Sequence, residues 1–327
     1  MGQRILVTGG AGYIGSHTAK VLSASGLEPV VFDNLSTGHQ ENVKWGRFVH
    51  GDLNDFQSVK RALVENDIEA VIHFAANAYV GESVLNPGKY FRNNVTNTLN
   101  LIEAMRDCCI KSIVFSSSCT TYGIPESLPI TENMLQNAIS PYGESKIMGE
   151  HLLKWFEVAH HIRHVVLRYF NASGASEDGD LGEDHDPETH LIPLVIGAAL
   201  EHDPPVRIFG TDYATPDGTA IRDYVHVSDL AEAHVKAVRY LLSGKASVAL
   251  NLGTGRGNSV KAVIETVERI SGRPVPTLLA TRRAGDPPVL VADARKALET
   301  LGWEPKRDLE TIVSTALAWH RKRWAIF

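Results

Sequence analysis

Tyr142 and Lys146 are four residues apart in the segment SPYGESK and are candidates for a joint role in acid–base chemistry. Side chains at this spacing share one face of a helix, so the phenol and the ammonium group would be neighbours. A nearby positive charge favours the phenolate and lowers the pKa of a tyrosine, which makes it usable as a general base near neutral pH. The pair therefore predicts a catalytic base at Tyr142, supported by Lys146.

Tyr and Lys residues at this spacing also occur by chance, so the spacing alone is weak evidence. The position of the pair in the predicted fold is the stronger evidence. The pair lies one strand–helix unit after an apolar run that ends in the serines Ser116, Ser117 and Ser118. A hydroxyl group at the carboxyl edge of a sheet can hydrogen-bond a reacting oxygen. We therefore expect the serines and the tyrosine to face the same edge.

Three glycines, Gly9, Gly12 and Gly15, stand in the segment TGGAGYIG between a predicted strand and a predicted helix. They allow a tight turn and let the backbone approach a pyrophosphate, whose charge the helix N-terminus stabilises. Asp33 follows Gly15 by 18 residues, at the end of the second predicted strand, where a carboxylate binds ribose hydroxyls. This carboxylate would repel a 2′-phosphate, and the next residues, NLSTGH, contain no arginine. The pattern predicts an NAD site and disfavours NADP.

These side chains must be positioned by strands and helices that alternate through the first half of the chain. The strand-length runs are almost wholly apolar, which is typical of parallel strands buried on both faces. Alternation at this spacing predicts an α/β fold with a doubly wound parallel sheet of the Rossmann type. The predicted strands are Arg4–Thr8, Pro29–Asp33, Arg47–His50, Ala70–Ala75, Lys111–Ser117 and Arg163–Tyr169, and the predicted helices are Tyr13–Ser25, Asp55–Glu65, Tyr90–Arg106 and Tyr142–His160.

After Asn171 the sequence becomes rich in Gly, Asp and Glu, which predicts a long loop. We expect a Rossmann domain at residues 1–172 and a smaller mixed substrate domain at residues 173–327, with segment 221–255 packing back on the first. Ligands of such folds bind beyond the carboxyl ends of the strands, in the cleft between the domains. The predicted elements here are helices near Leu191–Leu200, Leu230–Leu242, Val260–Ile270, Ala294–Leu301 and Leu309–Arg321 and a strand near Val206–Phe209.

Composition excludes several other functions. The formal net charge of −6 argues against nucleic acid as a partner, because phosphate backbones are bound by clustered Lys and Arg. Three cysteines lack the number and spacing of a disulfide framework, no apolar run is long enough to span a membrane, and no signal peptide is evident. We therefore expect a cytoplasmic protein with no membrane partner.

No metal site is predicted. Two groups of residues contain histidine, but neither has a known metal-ligand spacing, and a solvated loop or surface is the simpler account. The groups are His160, His161 and His164 in one case and Asp184, His185 and Asp186 in the other.

A series of motifs gives the chain a family resemblance. TGGAGYIGSHT, HFAA, FSSSCTTYG, SPYGESK, LRYFN, RDYVHVSDLA and NLGTG occur in this order, and RRAGDPPVLVAD and LGWEPKRDLETIV extend the similarity almost to the C-terminus. Together they resemble the extended short-chain dehydrogenase/reductase family, and most closely its UDP-glucose 4-epimerases.

The resemblance implies an isomerase that interconverts UDP-glucose and UDP-galactose through a transient 4-keto sugar. Tyr142 would remove the proton from the 4-hydroxyl group while C4 passes a hydride to tightly bound NAD. Ser118 would share the hydrogen bond to the sugar oxygen, and Lys146 would bind the nicotinamide ribose. The hydride would then return to the other face of the sugar. Family members often dimerise, which here implies a homodimer formed through helices near Tyr90–Arg106 and Tyr142–His160.

The same resemblance implies the binding residues, and fork-shaped guanidinium groups suit the diphosphate oxygens. The implied NAD-binding residues are Gly9, Gly12, Tyr13, Ile14, Gly15, Asp33, Asn34, Asp52, Leu53, Phe74, Ala75, Ala76, Asn93, Ser116, Tyr142, Lys146, Tyr169 and Phe170. The implied UDP-sugar-binding residues are Ser118, Tyr142, Asn171, His190, Leu191, Phe209, Arg222, Tyr224, Arg283 and Asp286.

Several alternatives stay open at this point. Cys119, Thr120 and Thr121 replace the Asp–Glu pair of the related dehydratases, which disfavours elimination of water. Ala78 stands where many UDP-glucose 4-epimerases carry a Lys near the cofactor ribose. The segment AYVGES resembles the branch that includes plant UDP-xylose/UDP-arabinose 4-epimerases, so a pentose substrate is an alternative. Leu290 occupies the position whose size helps to admit or exclude N-acetylated sugars. A nucleotide-sugar dehydrogenase and a non-catalytic dinucleotide sensor are the remaining alternatives.

Overall fold

The computed structural model describes residues 2–283 and 286–325. Its main element is a parallel sheet of seven strands, which confirms the predicted doubly wound α/β fold. From one edge to the other, the strands are β10 (Val248–Leu252), β6 (Arg163–Tyr169), β5 (Ser112–Ser118), β4 (Ala70–His73), β1 (Arg4–Thr8), β2 (Glu28–Asp33) and β3 (Arg47–His50). The order changes direction between β1 and β4, which places a ligand crevice at the carboxyl ends of these strands.

Helices cover both faces of this sheet because successive side chains of a buried strand point to opposite faces. In β1, Ile5 and Val7 belong to one core and Leu6 to the other. The first core is closed by α1 (Tyr13–Ala24) and α8 (Val227–Leu242), and the second by α2 (Phe56–Glu65), α5 (Asn97–Asp107) and α6 (Pro141–His160).

The predicted helix at Tyr90–Arg106 is divided. Two short helices, α3 (Val80–Leu85) and α4 (Pro87–Tyr90), lead into a π-helical segment, Phe91–Thr96, before α5 continues. Such widened turns often lie at functional sites. This one places Asn93 and Asn94 beside helix α6.

A second, smaller unit follows β6. Its helices α7 (Leu191–Ala199), α9 (Val260–Ser271) and α11 (Leu309–Arg323) share a third hydrophobic core with strand β8 (Val206–Phe209). Strand β8 pairs in parallel with β12 (Thr277–Ala280). A further sheet is formed by β7 (Asn171–Ser173), β9 (Ile221–His226), β11 (Gly257–Ser259) and β13 (Val289–Leu290), and α10 is Arg295–Leu301.

The chain returns to the main sheet after β9. Helix α8 packs on α1, and β10 pairs in parallel with β6 at the edge of the sheet. Sequence reasoning did not identify β7, β9–β13 or α3, because these elements are short and mix polar with apolar residues. Among the described residues, no helix is long and apolar enough to cross a membrane.

Candidate functional site

The candidate site lies where the parallel strands β1, β4, β5 and β6 end. The turn after β1 contains the three glycines, and two of them are required sterically. Gly9 has a φ of +73°, and a Cβ atom there would lie 2.6 Å from the backbone nitrogen of Ala75. A Cβ atom on Gly15 would lie 2.3 Å from the carbonyl oxygen of Gly9. Gly12 is the N-cap of α1, so the turn delivers the backbone directly to a helix N-terminus.

Asp33 is tied to this turn. Its Oδ2 accepts a hydrogen bond of 2.9 Å from the backbone N–H of Ala11, and its Oδ1 accepts one of 2.8 Å from that of Leu35. Burial raises the pKa of Asp33, and the backbone hydrogen bonds oppose this shift. Beside it, Nδ2 of Asn34 donates to Oδ2 of Asp52 at 2.7 Å. The glycine turn and the predicted ribose carboxylate therefore form one rigid unit that fits a dinucleotide.

A pair of buried histidines supports this edge, and sequence reasoning missed both. His73 lies between Thr8, at 2.7 Å from Nδ1, and Thr98, at 2.9 Å from Nε2. His234 lies 3.1 Å from Oγ of Ser116, and its ring is 4.6 Å from that of Phe74. Burial lowers the pKa of His73 to about 3 and that of His234 to about 4, so both rings are neutral.

Several predicted cofactor residues are anchored at the same edge. The hydroxyl of Tyr13 donates to the carbonyl oxygen of Gly174 at 2.6 Å. Leu53 and Phe170 are buried, and burial raises the pKa of Tyr169. Ile14 lies in the first turn of α1. Phe74, Ala75 and Ala76 are the three residues directly after the end of β4.

Helix α6 presents Tyr142 and Lys146 from its first turns. Ser140 caps the helix by accepting a hydrogen bond of 3.2 Å from the N–H of Gly143, and Pro141 occupies the first turn. Nζ of Lys146 donates to the carbonyl oxygen of Ser116 at 2.8 Å and lies 5.8 Å from the centre of the Tyr142 ring. Tyr142 and Lys146 are 7% and 5% exposed, respectively. The structure thus brings the predicted base, its lysine and the serines of β5 together.

The expected lowering of the tyrosine pKa is absent. Burial raises the pKa of Tyr142 to about 12, and its hydrogen bond with Ser118 opposes this shift. Burial also lowers the pKa of Lys146 to about 8, with Glu150 acting in the opposite direction. The sequence-based prediction considered the neighbouring charge and omitted desolvation, which is the larger effect here.

Asn94 links the π-helical segment to helix α6, which carries Tyr142 and Lys146. Its Nδ2 donates to Oγ of Ser145 at 3.0 Å and to the carbonyl oxygen of Asn77 at 2.9 Å. Its Oδ1 accepts from the N–H of Asn77 at 2.8 Å and from Nδ2 of Asn93 at 3.1 Å. The predicted cofactor residue Asn93 is therefore held by Asn94, which sequence reasoning did not single out.

A buried ion pair holds α6 against the sheet. Glu150 accepts from Arg168 of β6 at 3.0 Å through Oε1 and at 2.5 Å through Oε2, and Oε1 also accepts from Ser117 at 2.6 Å. Nη1 of Arg168 donates to the hydroxyl of Tyr122 at 2.9 Å. The hydrogen bonds and charge of Glu150 raise the pKa of Arg168 despite burial. The network positions the helix that carries Tyr142 and Lys146.

Apart from Ser118 and Tyr142, the predicted substrate residues come from the smaller unit. Arg222 of β9 pairs with Asp286, and the guanidinium group of Arg283 stacks on Phe209 with 4.1 Å to the ring centre. Nδ2 of Asn171 donates to the carbonyl oxygen of Asp223 at 3.1 Å. Tyr224 and Leu290 are buried, and Leu191 is the first residue of α7. The two arginines therefore belong to one surface with local carboxylate and aromatic partners.

His190, immediately before α7, has acidic neighbours. Its Nδ1 lies 2.8 Å from Oε1 of Glu183 and 3.2 Å from Oε1 of Glu188. These carboxylates raise the pKa of His190 to about 10, against the opposing effect of burial. His185 joins the same cluster, which sequence reasoning missed because it grouped His185 with Asp184 and Asp186.

Comparison with known proteins gives consistent results. A profile of the NAD dependent epimerase/dehydratase family matches residues 5–253. A UDP-glucose 4-epimerase of Rhizobium meliloti (strain 1021) is 51% identical over 319 residues, covering 98% of this chain and 97% of that protein.

Two solved structures extend the similarity to the fold. The Brucella ovis UDP-glucose 4-epimerase in complex with NAD is 53% identical, with a TM-score of 0.95, and the match covers 97% of this chain and 98% of that one. A Stenotrophomonas maltophila UDP-glucose-4-epimerase with bound NAD and formylated UDP-arabinopyranose is 38% identical, with a TM-score of 0.96 and coverage of 99% and 100%. This chain therefore belongs to the NAD dependent epimerase/dehydratase family.

Proposed function

We propose that the protein is an NAD-dependent UDP-sugar 4-epimerase that interconverts UDP-glucose and UDP-galactose. The observation that carries this proposal is the meeting of Tyr142, Lys146 and Ser118 at the sheet edge that also holds the glycine turn and Asp33. Relatives named UDP-glucose 4-epimerase match nearly the whole chain. The enzyme class, the cofactor and the type of substrate all follow from this combination.

Each residue at this edge of the sheet has a separate role in the proposed reaction. When bound, NAD supplies a reversible hydride acceptor for C4 of the sugar. The phenolic oxygen of Tyr142 accepts the proton of the 4-hydroxyl group and later returns it. Ser118 holds the same sugar oxygen by a hydrogen bond and stabilises the phenolate, since its hydrogen bond already lowers the pKa of Tyr142. Lys146 carries a positive charge within reach of both the phenol and the cofactor ribose.

Protonated Tyr142 is the resting form that this geometry favours, because burial raises the pKa of its phenol to about 12. A positive charge placed close to the phenol stabilises the phenolate, and an oxidised nicotinamide carries one. Oxidised NAD, when bound, would therefore lower the pKa of Tyr142 and favour its role as the base.

The substrate residues bind the nucleotide part. Arg222 and Arg283 would bind the diphosphate, with Asn171, His190, Leu191, Phe209, Tyr224 and Asp286 around the sugar phosphate, uracil and ribose. The salt bridge between Arg222 and Asp286 supports this role, because it holds the guanidinium group in place until phosphate oxygens take over one of its hydrogen bonds.

The proposal also covers the division into domains, the oligomeric state and the cellular location. Residues 1–172 form the NAD-binding domain and residues 173–327 the UDP-sugar-binding domain, in a cytoplasmic homodimer. Exposed apolar side chains on α6 support a dimer surface there, namely Met148, Trp155 and Val158, which are 37%, 68% and 66% exposed. Sedimentation should give a dimer for the parent protein and a monomer for Trp155→Lys. A monomeric parent protein would contradict this part.

The activity is tested with purified protein and UDP-galactose, without added NAD. We expect UDP-glucose to form, with no accumulation of NADH, and Tyr142→Phe to abolish its formation. Tyr240→Phe, on α8 outside the site, is the matched control and should keep activity. No product from protein shown to carry NAD would contradict the epimerase.

A parallel reaction with UDP-arabinose addresses the pentose alternative. Ala78 in the segment AYVGES and the formylated UDP-arabinopyranose bound by the Stenotrophomonas maltophila relative motivate it. If only the pentose is converted, the substrate is UDP-arabinose and not UDP-glucose. The type of reaction, epimerisation at C4, would then be unchanged.

A further inference from the structure

Four side chains of the loop between β7 and α7 converge on one point, and one of them, His190, is also among the proposed substrate residues. Glu183, His185, Glu188 and His190 each offer one nitrogen or oxygen atom, and these atoms lie within 4.8 Å of one another. In sequence they form two Glu-x-His pairs separated by two residues. We propose that this cluster is a structural binding site for a divalent transition-metal ion, with Zn²⁺ the best match.

The distances between the ligand atoms fit tetrahedral coordination. Nδ1 of His190 lies 2.8 Å from Oε1 of Glu183 and 3.2 Å from Oε1 of Glu188. Nδ1 of His185 lies 3.2 Å from Oε1 of Glu183 and 3.6 Å from Oε2 of Glu188. Ligands about 2.0–2.1 Å from a tetrahedral Zn²⁺ are separated by about 3.3–3.4 Å. The observed values lie on both sides of this separation, although Glu188 presents Oε2 to His185 and Oε1 to His190. One ligand atom from each of the four residues lies within 4.8 Å of the others, so side-chain movements would bring the four atoms around one ion.

Hydrogen bonding satisfies Glu188, whose Oε1 accepts from the backbone N–H groups of Thr189 and His190, but it leaves Nδ1 of His185 without a partner. Nδ1 of each histidine faces both carboxylates, but one nitrogen carries at most one proton. Nδ1 of His185 is buried and makes no hydrogen bond of good geometry, although it lies 3.2 Å from Glu183. A central divalent ion is coordinated by all four atoms at once, and the two carboxylates neutralise its charge.

The ligand set also indicates the kind of site. Imidazole and carboxylate ligands suit Zn²⁺ and its neighbours in the first transition row better than Ca²⁺ or Mg²⁺, which prefer oxygen ligands alone. Four protein ligands complete a tetrahedral shell and leave no open position, which is typical of structural and not of catalytic zinc.

The position of the cluster suggests what the ion stabilises. The His185 ring contacts Tyr13, in the glycine turn, and Tyr79, before α3, with ring centres 6.2 Å and 6.1 Å apart. His190 directly precedes α7, in the smaller unit. A metal ion would therefore fix this loop of the smaller unit beside the cofactor-binding edge. This proposal is independent of the epimerase activity, because metal binding is measured directly.

The test uses the full chain, free of any metal-binding affinity tag. After incubation with Zn²⁺ or Co²⁺ and removal of excess ion, metal content is measured by mass spectrometry and Co²⁺ geometry by visible absorption. We expect one ion per chain with the strong absorption of tetrahedral Co²⁺. His185→Gln should weaken binding by about 100-fold or more, whereas His151→Gln, at an exposed position of α6, should not.

Thermal unfolding separates loss of the site from loss of folding. Zn²⁺ should raise the Tm of the parent protein and of His151→Gln, a chelator should reverse the increase, and neither should affect His185→Gln or Glu188→Gln. A parent protein without stoichiometric metal, or variants that retain it, would overturn the proposal. Either result leaves the epimerase proposal standing if UDP-galactose is still converted.

Discussion

The catalytic edge and the substrate-facing surface are built from different interactions. Tyr142 and Lys146 are buried, and Lys146 donates to a backbone carbonyl group and not to a carboxylate. On the other surface, Arg222 pairs directly with Asp286, and Arg283 is exposed and stacks on an aromatic ring. Desolvation therefore dominates at the residues proposed to move a proton, whereas charge pairing and stacking hold the arginines proposed to bind phosphate.

This difference gives each region a separate kinetic signature. Residues at the catalytic edge act on charge that develops during the reaction, so their loss should lower kcat. Residues at the substrate surface bind a diphosphate that does not change during the reaction, so their loss should mainly raise KM.

Lys146→Met should lower kcat by about 100- to 10,000-fold, because the charge that stabilises the phenolate and binds the cofactor is lost. Steady-state kinetics with UDP-galactose would measure this effect. Lys154→Met, at an exposed position on the same helix, is the control. A variant with normal kcat and a raised KM would break the distinction between the two regions.

Glu150→Gln should destabilise the protein by about 3–5 kcal/mol, because it leaves the buried charge of Arg168 without its partner. Urea unfolding measures the free energy, and Glu299→Gln, at an exposed position of α10, provides the comparison. Unchanged stability would show that the ion pair does not hold α6 on the sheet.

Arg222→Met should raise KM for the UDP-sugar by roughly 10- to 100-fold, since a charged hydrogen bond to phosphate is worth about 1.5–3 kcal/mol. The change in kcat should be small. Arg207→Met, at an exposed position of β8, should leave both constants unchanged. An equal fall in kcat and kcat/KM would instead place Arg222 in the catalytic step.

Acid should destabilise the catalytic edge through its neutral histidines. His73 and His234 have pKa values lowered by burial to about 3 and about 4, so the unfolded chain binds more protons below about pH 6.5. Their contribution to stability is fully present above that pH and is lost as the pH falls toward 4. At pH 5.5 the loss is about 1.4 kcal/mol per histidine. Unfolding curves of His234→Gln should therefore depend less on pH than those of the parent protein.

The sequence was sufficient to predict six of the seven strands of the main sheet and the residues near its edge. Parallel strands appear as uninterrupted apolar runs, and Tyr142, Ser118 and the glycines lie next to such runs. It was not sufficient for contacts between distant residues. His234 reaches Ser116 across 118 positions of the chain, and Glu150 meets Arg168 across 18. No local pattern encodes these pairs, because the strand order that brings them together is set by the whole sheet.

Spacing along the sequence was also a poor guide to the neighbours of His185 and to the pKa of Tyr142. His185 was grouped with its sequence neighbours Asp184 and Asp186, whereas the fold turns it toward Glu183, Glu188 and His190. Similarly, the spacing of Tyr142 and Lys146 predicted a lowered tyrosine pKa, but the depth of burial is a tertiary property and raises it.

Isotope transfer tests the central claim most directly. UDP-galactose with deuterium at C4 is incubated with the purified protein in ordinary water, without added cofactor, and the product is analysed by NMR. If C4 passes its hydride to bound NAD and receives it back, the UDP-glucose will keep deuterium at C4. Replacement of the deuterium by solvent hydrogen would contradict the account, because the proton moved by Tyr142 would then be the one on carbon and not the one on the 4-hydroxyl oxygen.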